Sequence, residues 1–490
     1  MIEAERTGMH SFSPLHVRSR REKGRARRQD GARKRRRLFH RHLLWALLLP
    51  FAACGPPGDP APPHIILIST DALRADHLSL YGYPRQTSPS ISDLARTSFT
   101  FSNAITVIAK TGPSFATMLS GRHPQEHRVQ KNRQALPADL PYLPEILKEH
   151  GYRTAAFLSN YNLSHEKGYS RGFDMFRMFP LDKRKVEAIN EAFAQWARAD
   201  WDQPTFIWIH YIDPHGPYTP PPDYSGMFVD DELFDGSKRV TSDYDTTDVA
   251  EQEDLLRAVP IYQRLQGEDR VAYYVAQYDA EIRYVDNAVG EIISLLRKRG
   301  LFDESVFIFT SDHGESMGEH DYYFEHGAFA YQATLHIPLI IKRPGQREGR
   351  TVDTLVSTLD VVPTLLNLAG IAPDLELKGR DLSGGAEKGA SPVLIENAAE
   401  YPRKLVGLST ARYKYLKDES TGEEELYDLS NDPQETTNLS EGAPELLDRF
   451  RLRLSKTLAE TRERARWEQP VVPPLDEAIA ARLRALGYVQ

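Results

Sequence analysis

Five short apolar runs separated by amphipathic segments limit this chain to a mostly parallel sheet with helices on both faces. The runs are 64–70 (HIILIST), 154–159 (TAAFLS), 205–210 (TFIWIH), 305–310 (SVFIFT) and 338–342 (PLIIK). Each is apolar nearly throughout rather than at every second residue, as strands buried on both faces are. Between the third and fourth, residues 274–298 predict one long amphipathic helix. Tyr278, Ile282, Val285, Val289, Ile292 and Leu296 recur at helical spacing, and Gly300 supplies a stop. The expected fold class is therefore α/β, doubly wound. A chain of 490 residues with 40% hydrophobic content has material for such a domain plus a smaller unit.

The large domain is expected over residues 64–389, with the acidic, turn-rich stretch 223–270 as an inserted surface lobe. Near residue 390 the texture changes to shorter polar strands such as 404–408 and 413–416. Residues 390–460 therefore predict a small α+β subdomain, and 461–490 a helical tail. The N-terminal end has a different character. Residues 1–53 carry fourteen Lys/Arg against four Asp/Glu, which leaves 47 basic and 65 acidic residues in the remainder. So acidic a body excludes sequence-independent nucleic-acid binding, which depends on neutralising phosphates. The basic run RKRRR at 33–37 precedes eleven apolar residues, 43–53, too few to span a bilayer as a helix. Basic, apolar and small residues in that order make an export signal over residues 1–54. Its last residues, Phe51-Ala52-Ala53-Cys54, resemble a bacterial lipobox, and Cys54 is the only cysteine of the chain. The expectation is an exported protein, held at the periplasmic face of a membrane by a lipid anchor on Cys54, or secreted. Residues 55–63 (GPPGDPAPP) make a tether, and a single cysteine excludes an intrachain disulfide.

Ligands of open parallel sheets gather at the carboxyl ends of the strands. The first run ends at Asp71, the third runs into Asp213-Pro214-His215-Gly216-Pro217, and the fourth into Ser311-Asp312-His313-Gly314-Glu315. Carboxylates and imidazoles delivered to one rim form an oxygen/nitrogen set suited to a divalent metal. Pro113 fits the first turn of a helix ending near Gly121, which puts Thr111 at its N-terminus. Amides and the dipole there favour an anionic ester and the alkoxide of a hydroxyl. Bound to a metal, such a hydroxyl becomes a nucleophile. His210, His320 and His336 are expected to be packing or surface histidines, and Lys110 a solvated lysine.

Over nearly all of residues 62–490 the chain resembles the sulfatase family of the alkaline-phosphatase superfamily. The resemblance rests on Asp71, TGPSFATMLSGRHP from Thr111, DPHGPY from Asp213, TSDHGE from Thr310, residues 331–344, DVVPTLLNLAGI from Asp360 and ELYDLSNDPQETTNL from Glu425. It implies an ester hydrolase. Formylglycine sulfatases read Cys/Ser-x-Pro-x-Arg, whereas this chain has Thr111 and Phe115 at those positions, so no formylglycine is expected. The paired N-terminal aspartates are reduced to Asp71 and Ala72. The family's Gly-Lys-x-His stretch corresponds to Leu158-Ser159-Asn160-Tyr161, without its lysine or histidine.

What remains resembles the phosphoethanolamine and phosphoglycerol transferases of the same superfamily, which use an unmodified threonine. That likeness implies Thr111 as nucleophile, with Asp71, Thr111, Asp312 and His313 holding one divalent metal ion: calcium, zinc or manganese. It implies that His215 and His326 contact the esterified anion or the leaving oxygen as acid/base groups. The expected substrate is a small-molecule, glycan or lipid ester of sulfate or phosphate. Two alternatives stay open: transfer to an acceptor of the cell envelope, and a catalytically silent lipoprotein that binds anionic glycans.

Overall fold

The computed structural model describes residues 61–490, apart from 180–185, 230–232, 234–235, 241–257, 373, 386–390, 475–476, 478–479 and 482–490. The export signal, Cys54 and most of the tether lie outside the described residues. Eight strands form the main sheet: β1 (Ile65–Thr70), β2 (Phe99–Phe101), β3 (Arg153–Leu158), β4 (Met175–Met178), β5 (Thr205–Tyr211), β6 (Val306–Ser311), β7 (Leu339–Lys342) and β8 (Arg350–Val352). Their order is β8-β2-β7-β6-β1-β5-β3-β4.

The apolar runs are continuous because both faces of the central strands are covered. Ile66 and Ile68 of β1, Ile207 and Ile209 of β5, and Phe307 and Phe309 of β6 enter one core. The alternate residues Ile65, Leu67, Phe206, Trp208, Val306 and Ile308 enter the other. Each such side chain, fully buried, contributes roughly 1.5–3 kcal/mol relative to exposure. The long helix Val271–Lys298 covers the first face through Tyr278, Ile282, Val285, Val289, Ile292 and Leu296. It stops at Gly300, whose φ of 70° is the left-handed turn a C-terminal glycine provides. The helix Thr111–Ser120 packs Phe115, Ala116, Met118 and Leu119 on the opposite face.

Strands β6, β1 and β5 are parallel and level at their carboxyl ends, where Thr70 lies beside both Ser311 and Tyr211. That register brings Asp71 and Asp312 out at one rim. The fifth apolar run differs from the parallel expectation, because β7 is antiparallel to both β6 and β2. Residues 312–338 stay at the carboxyl rim with no crossover helix, so the chain must re-enter the sheet from that end.

A second sheet of four antiparallel strands follows in chain order: β9 (Val393–Glu396), β10 (Leu405–Ser409), β11 (Tyr413–Asp418) and β12 (Glu424–Asp428). Leu394, Val406, Leu408, Tyr415 and Leu426 pack on Leu447, Phe450, Leu454 and Leu458 of the helix Pro444–Glu463. The other face, with Ile395, Leu405, Leu416 and Tyr427, meets Val107, Ile108, Phe329 and Tyr331. The segment just before Thr111 is thus fixed against the second sheet. Residues 465–474 contain no helix, so the helical tail expected from residue 461 is, over its first residues, only the end of Pro444–Glu463. Arg128 holds the irregular stretch by donating to the carbonyls of Ala465 and Trp467. Among the described residues no helix is long and apolar enough to cross a membrane.

Candidate active site

Asp71 emerges from β1 with its amide donating to the Tyr211 carbonyl at 3.0 Å. The next residue, Ala72, takes φ 60°, a left-handed conformation rare for a residue with a Cβ. Its amide donates to Asp312 Oδ1 at 3.1 Å, and the Leu73 amide donates to Ser311 Oγ at 2.9 Å. The turns after β1 and β6 therefore hold each other. Asp312 Oδ1 also accepts from the His313 amide at 2.8 Å, which leaves Oδ2 buried without a hydrogen bond. Gly314 is required beside this pair, because a Cβ there would lie 2.3 Å from the Ala333 carbonyl oxygen.

His313 Nδ1 lies 2.8 Å from the Gly314 carbonyl. A carbonyl only accepts, so Nδ1 carries the proton and the neutral ring offers the Nε2 lone pair. Nε2 lies 3.6 Å from Asp71 Oδ1 and 3.5 Å from Asp312 Oδ2, and makes no hydrogen bond. Burial holds the imidazole well below its usual pKa. Burial, and then the charge of Asp71, push the Asp312 carboxyl well above the carboxylate range. Ligand atoms of Asp71, Asp312 and His313 all lie within 4.8 Å of one another. Two buried carboxylates beside a neutral imidazole need a cation, and their donor set fits a divalent metal ion.

Thr111 is the first residue of its helix, and its Oγ1 is buried with no hydrogen-bond partner. The helix is tied to the metal-type cluster by Ser114 Oγ, which donates to the Asp312 carbonyl at 2.7 Å. The Gly112 amide donates to Asn132 Oδ1 at 2.8 Å, and Tyr169 donates to the Gly112 carbonyl at 2.6 Å. Ser114 falls within the quoted stretch from Thr111 but gives no sign there of its bond to Asp312, and Asn132 and Tyr169 lie in no motif that sequence reasoning can find.

The two further histidines stand beside this cluster. The His326 ring stacks on His313 with centroids 4.1 Å apart and meets His215 edge-on at 5.2 Å. His215 Nδ1 donates to the Gly216 carbonyl at 2.9 Å, so its Nε2 also presents a lone pair when neutral. His326 Nδ1 lies 2.9 Å from Glu315 Oε1. Burial pushes Glu315 up and His326 down. The register explains the contact: Ser316–Met317 pairs antiparallel with Tyr323–Glu325, placing Ser316 opposite Glu325. Residues 315 and 326 are the next pair out.

One expectation requires correction. His210 packs as expected, its ring 5.0 Å from that of Phe115, and its Nε2 lies 3.8 Å from Asp71 Oδ2. Its Nδ1 lies 3.0 Å from Ser69 Oγ, which also accepts from Trp208 Nε1 at 2.9 Å. Strand pairing sets this: His210 pairs with Ser69 one step below the rim. Lys110, however, is not solvated. Its side chain is buried, with Nζ 3.6 Å from Glu400 Oε1 and 5.6 Å from the centre of the Tyr401 ring. His320 and His336 do pack, one on the Tyr331 ring at 3.8 Å and the other against the Ser102 carbonyl at 3.0 Å. The lobe contributes Tyr262, stacked on His215 at 6.1 Å, and Gln263, which donates to the Phe324 carbonyl at 3.0 Å.

Comparison with known proteins agrees with this architecture. The sulfatase family model matches residues 63–371, and that of the N-sulphoglucosamine sulphohydrolase C-terminal region matches 318–464. An N-acetylglucosamine-6-O-sulfatase of Bacteroides thetaiotaomicron is 25% identical, with 80% of this chain and 86% of that protein covered. A choline-sulfatase of Rhizobium meliloti is 26% identical, with 77% and 82% covered. Among solved structures, the phosphonate monoester hydrolase of Agrobacterium radiobacter superposes with a TM-score of 0.66 at 22% identity, covering 82% of this chain and 96% of that one. With the family model spanning more than half the chain, this protein belongs to the sulfatase family, the ester hydrolases of the alkaline-phosphatase superfamily.

Proposed function

We propose that this chain hydrolyses sulfate or phosphate esters with Thr111 as the nucleophile and without formylglycine. The observation that carries the reading is the buried, unpartnered Thr111 hydroxyl, set at a helix N-terminus that Ser114 ties to Asp312. Asp71, Asp312, His313 and Thr111 would hold one divalent ion, and the mixed oxygen/nitrogen donors favour zinc or manganese over calcium. Bound there, such an ion supplies positive charge that lowers the hydroxyl pKa and draws charge from a nonbridging oxygen of the ester.

The residues of the chain divide the remaining work. Asp71 and Asp312 are held by backbone amides and by Asn160, so they do not reorganise during turnover. Thr111 Oγ1, its proton released to solvent, forms a bond to sulfur or phosphorus as the bond to the alcohol oxygen breaks. His326, oriented by Glu315, delivers a proton to that oxygen, and His215 positions the anion from the opposite side of the ring cluster. Water then displaces Thr111 and releases inorganic sulfate or phosphate.

The names of the relatives support sulfate esters and, through the phosphonate monoester hydrolase, esters with phosphorus at the centre. Choline, glucosamine and phosphonate esters are substrates named for those proteins, and any of these chemistries is a starting point for a screen. The test is a paired panel of sulfate and phosphate esters on metal-replete protein, repeated after chelation. The reading expects turnover of at least one class, lost on chelation and restored by the ion. Turnover that chelation leaves unchanged contradicts it.

A further inference from the structure

Ser69 and His210 stand side by side one step below the rim, Ser69 on β1 and His210 on β5. Trp208, two residues back along β5, points to the same face of the sheet as His210. The helix that begins at Thr111 lays Phe115 against both rings. Its ring is tilted on Trp208 with centroids 4.9 Å apart and stands edge-on to His210 at 5.0 Å. Aromatic walls thus hold the imidazole, and its two nitrogens find their partners at its free edges. His210 is fully buried, so the partner of each nitrogen matters to the energy of the site.

Donor chemistry assigns the protons of this relay. An indole N–H only donates, and Trp208 Nε1 donates to Ser69 Oγ at 2.9 Å. The Ser69 hydroxyl has one proton of its own to give. It faces His210 Nδ1 at 3.0 Å and the Ile209 carbonyl at 3.4 Å. The shorter contact takes the proton, so Nδ1 accepts and Nε2 carries the ring proton. Nε2 is buried and makes no hydrogen bond among the described residues, and it lies 3.8 Å from Asp71 Oδ2. The opposite tautomer would set a lone pair against a carboxylate oxygen, which Coulomb repulsion disfavours. At 3.8 Å the contact is electrostatic rather than a full hydrogen bond, and the low polarity of the surroundings strengthens it.

We propose that His210 is a positioning residue of the metal centre, presenting Nε2–H to Asp71 Oδ2 through the relay Trp208–Ser69–His210 and leaving Oδ1 to the ion. This rests on the reading of Asp71, Asp312 and His313 as metal ligands. Asn160 Nδ2 donates to the same Oδ2, so two N–H groups approach that oxygen from two different segments. Oδ1 instead faces His313 Nε2 at 3.6 Å. Outer partners of this kind fix the orientation of a ligating carboxylate and select which oxygen meets the ion. His210 itself touches neither ester nor ion in this arrangement; it acts through Asp71.

The experiment combines zinc affinity of the full-length protein, measured against a competing chelator, with NMR of the zinc-loaded protein labelled at its histidine ring nitrogens. His210→Phe keeps a ring against Phe115 and Trp208 and removes the N–H. It is expected to weaken zinc about tenfold, the lower end of what outer partners of metal ligands contribute. His210→Gln offers an amide N–H at similar reach and is expected to recover most of that loss. In the NMR spectrum the His210 signal, identified by its absence from His210→Gln, should show the proton on Nε2, and Ser69→Ala should weaken that preference. Zinc affinity unchanged in His210→Phe, a glutamine variant as weak as the phenylalanine one, or a proton on Nδ1 would overturn the proposal. The ring proton is read in the parent protein, so a phenylalanine variant that fails to fold does not shield the proposal from refutation. Neither measurement needs turnover. A parent that binds no zinc would sink the metal reading itself, whereas parent-like binding in His210→Phe would sink only the role of His210.

Discussion

Buried histidines give this protein a definite response to acid. His123 Nδ1 accepts from the Gln125 amide at 3.2 Å, and His127 Nδ1 accepts from the Val129 amide at 3.0 Å. Each ring is thereby held neutral, and burial lowers both to about 3. An unfolded imidazole titrates near ~6.5. Below that pH the unfolded chain takes up protons that the folded chain refuses. Their contribution to stability is therefore complete above about 6.5 and lost as pH falls towards the folded value, about 1.4 kcal/mol per pH unit for each ring. Urea unfolding across this window should show that loss, and His127→Gln should make its slope shallower by one ring's share. A slope unchanged in the variant contradicts the assignment. At the site, Glu315→Gln should lower kcat about a hundredfold with KM nearly constant, since it removes the group that orients His326 rather than one that binds substrate. Steady-state kinetics check this, and a change confined to KM would place Glu315 in binding instead.

At the scale of elements, what was legible in the sequence is what has periodicity. The runs ending at Asp71 and Ser311 announce buried strands, and their level carboxyl ends gather Asp71, Asp312 and His313. Pro113 likewise marks the helix that begins at Thr111. The hairpin that joins Glu315 to His326 has strands of two and three residues, with His320, Asp321 and Phe324 at positive φ between and within them. Nothing so short has a readable period, so the Glu315 partner of His326 stayed hidden. The orientation of β7 was hidden for a related reason, because an apolar run carries no sign of its direction. The turn after β6 allows a sharp test. Gly314→Ala would put a methyl group 2.3 Å from the Ala333 carbonyl oxygen. We expect a loss of about 1–3 kcal/mol in stability from the overpacking, and metal affinity at least about tenfold weaker as Asp312 and His313 shift. Thermal unfolding and metal titration measure the two effects, and a variant that binds metal as the parent does would contradict the constraint.

At the scale of the whole molecule, family texture and site chemistry had to be separated. The sequence departs from formylglycine sulfatases at Thr111, Phe115, Ala72 and the 158–161 stretch, and taken alone those departures suggest a weakened anion site. Folding adds a charge the sequence left in solvent, because Lys110 is buried beside the His326-Gly327 turn through contacts no sequence pattern specifies. Only the register of His210 beside Ser69 shows that this packed ring faces Asp71. Export and anchoring concern residues 1–54, outside the described part, and remain our proposal. Cys54→Ser should move the protein from the membrane fraction to the soluble fraction, and persistent membrane partition would refute the anchor. The central claim is that an unmodified threonine performs the displacement. Its most direct measurement is turnover of Thr111→Ala, with metal content determined on the same sample. The account predicts a fall of at least about a thousandfold, as for loss of other catalytic nucleophiles, with metal still bound through Asp71, Asp312 and His313. Turnover equal to the parent's in a metal-loaded Thr111→Ala protein would contradict it.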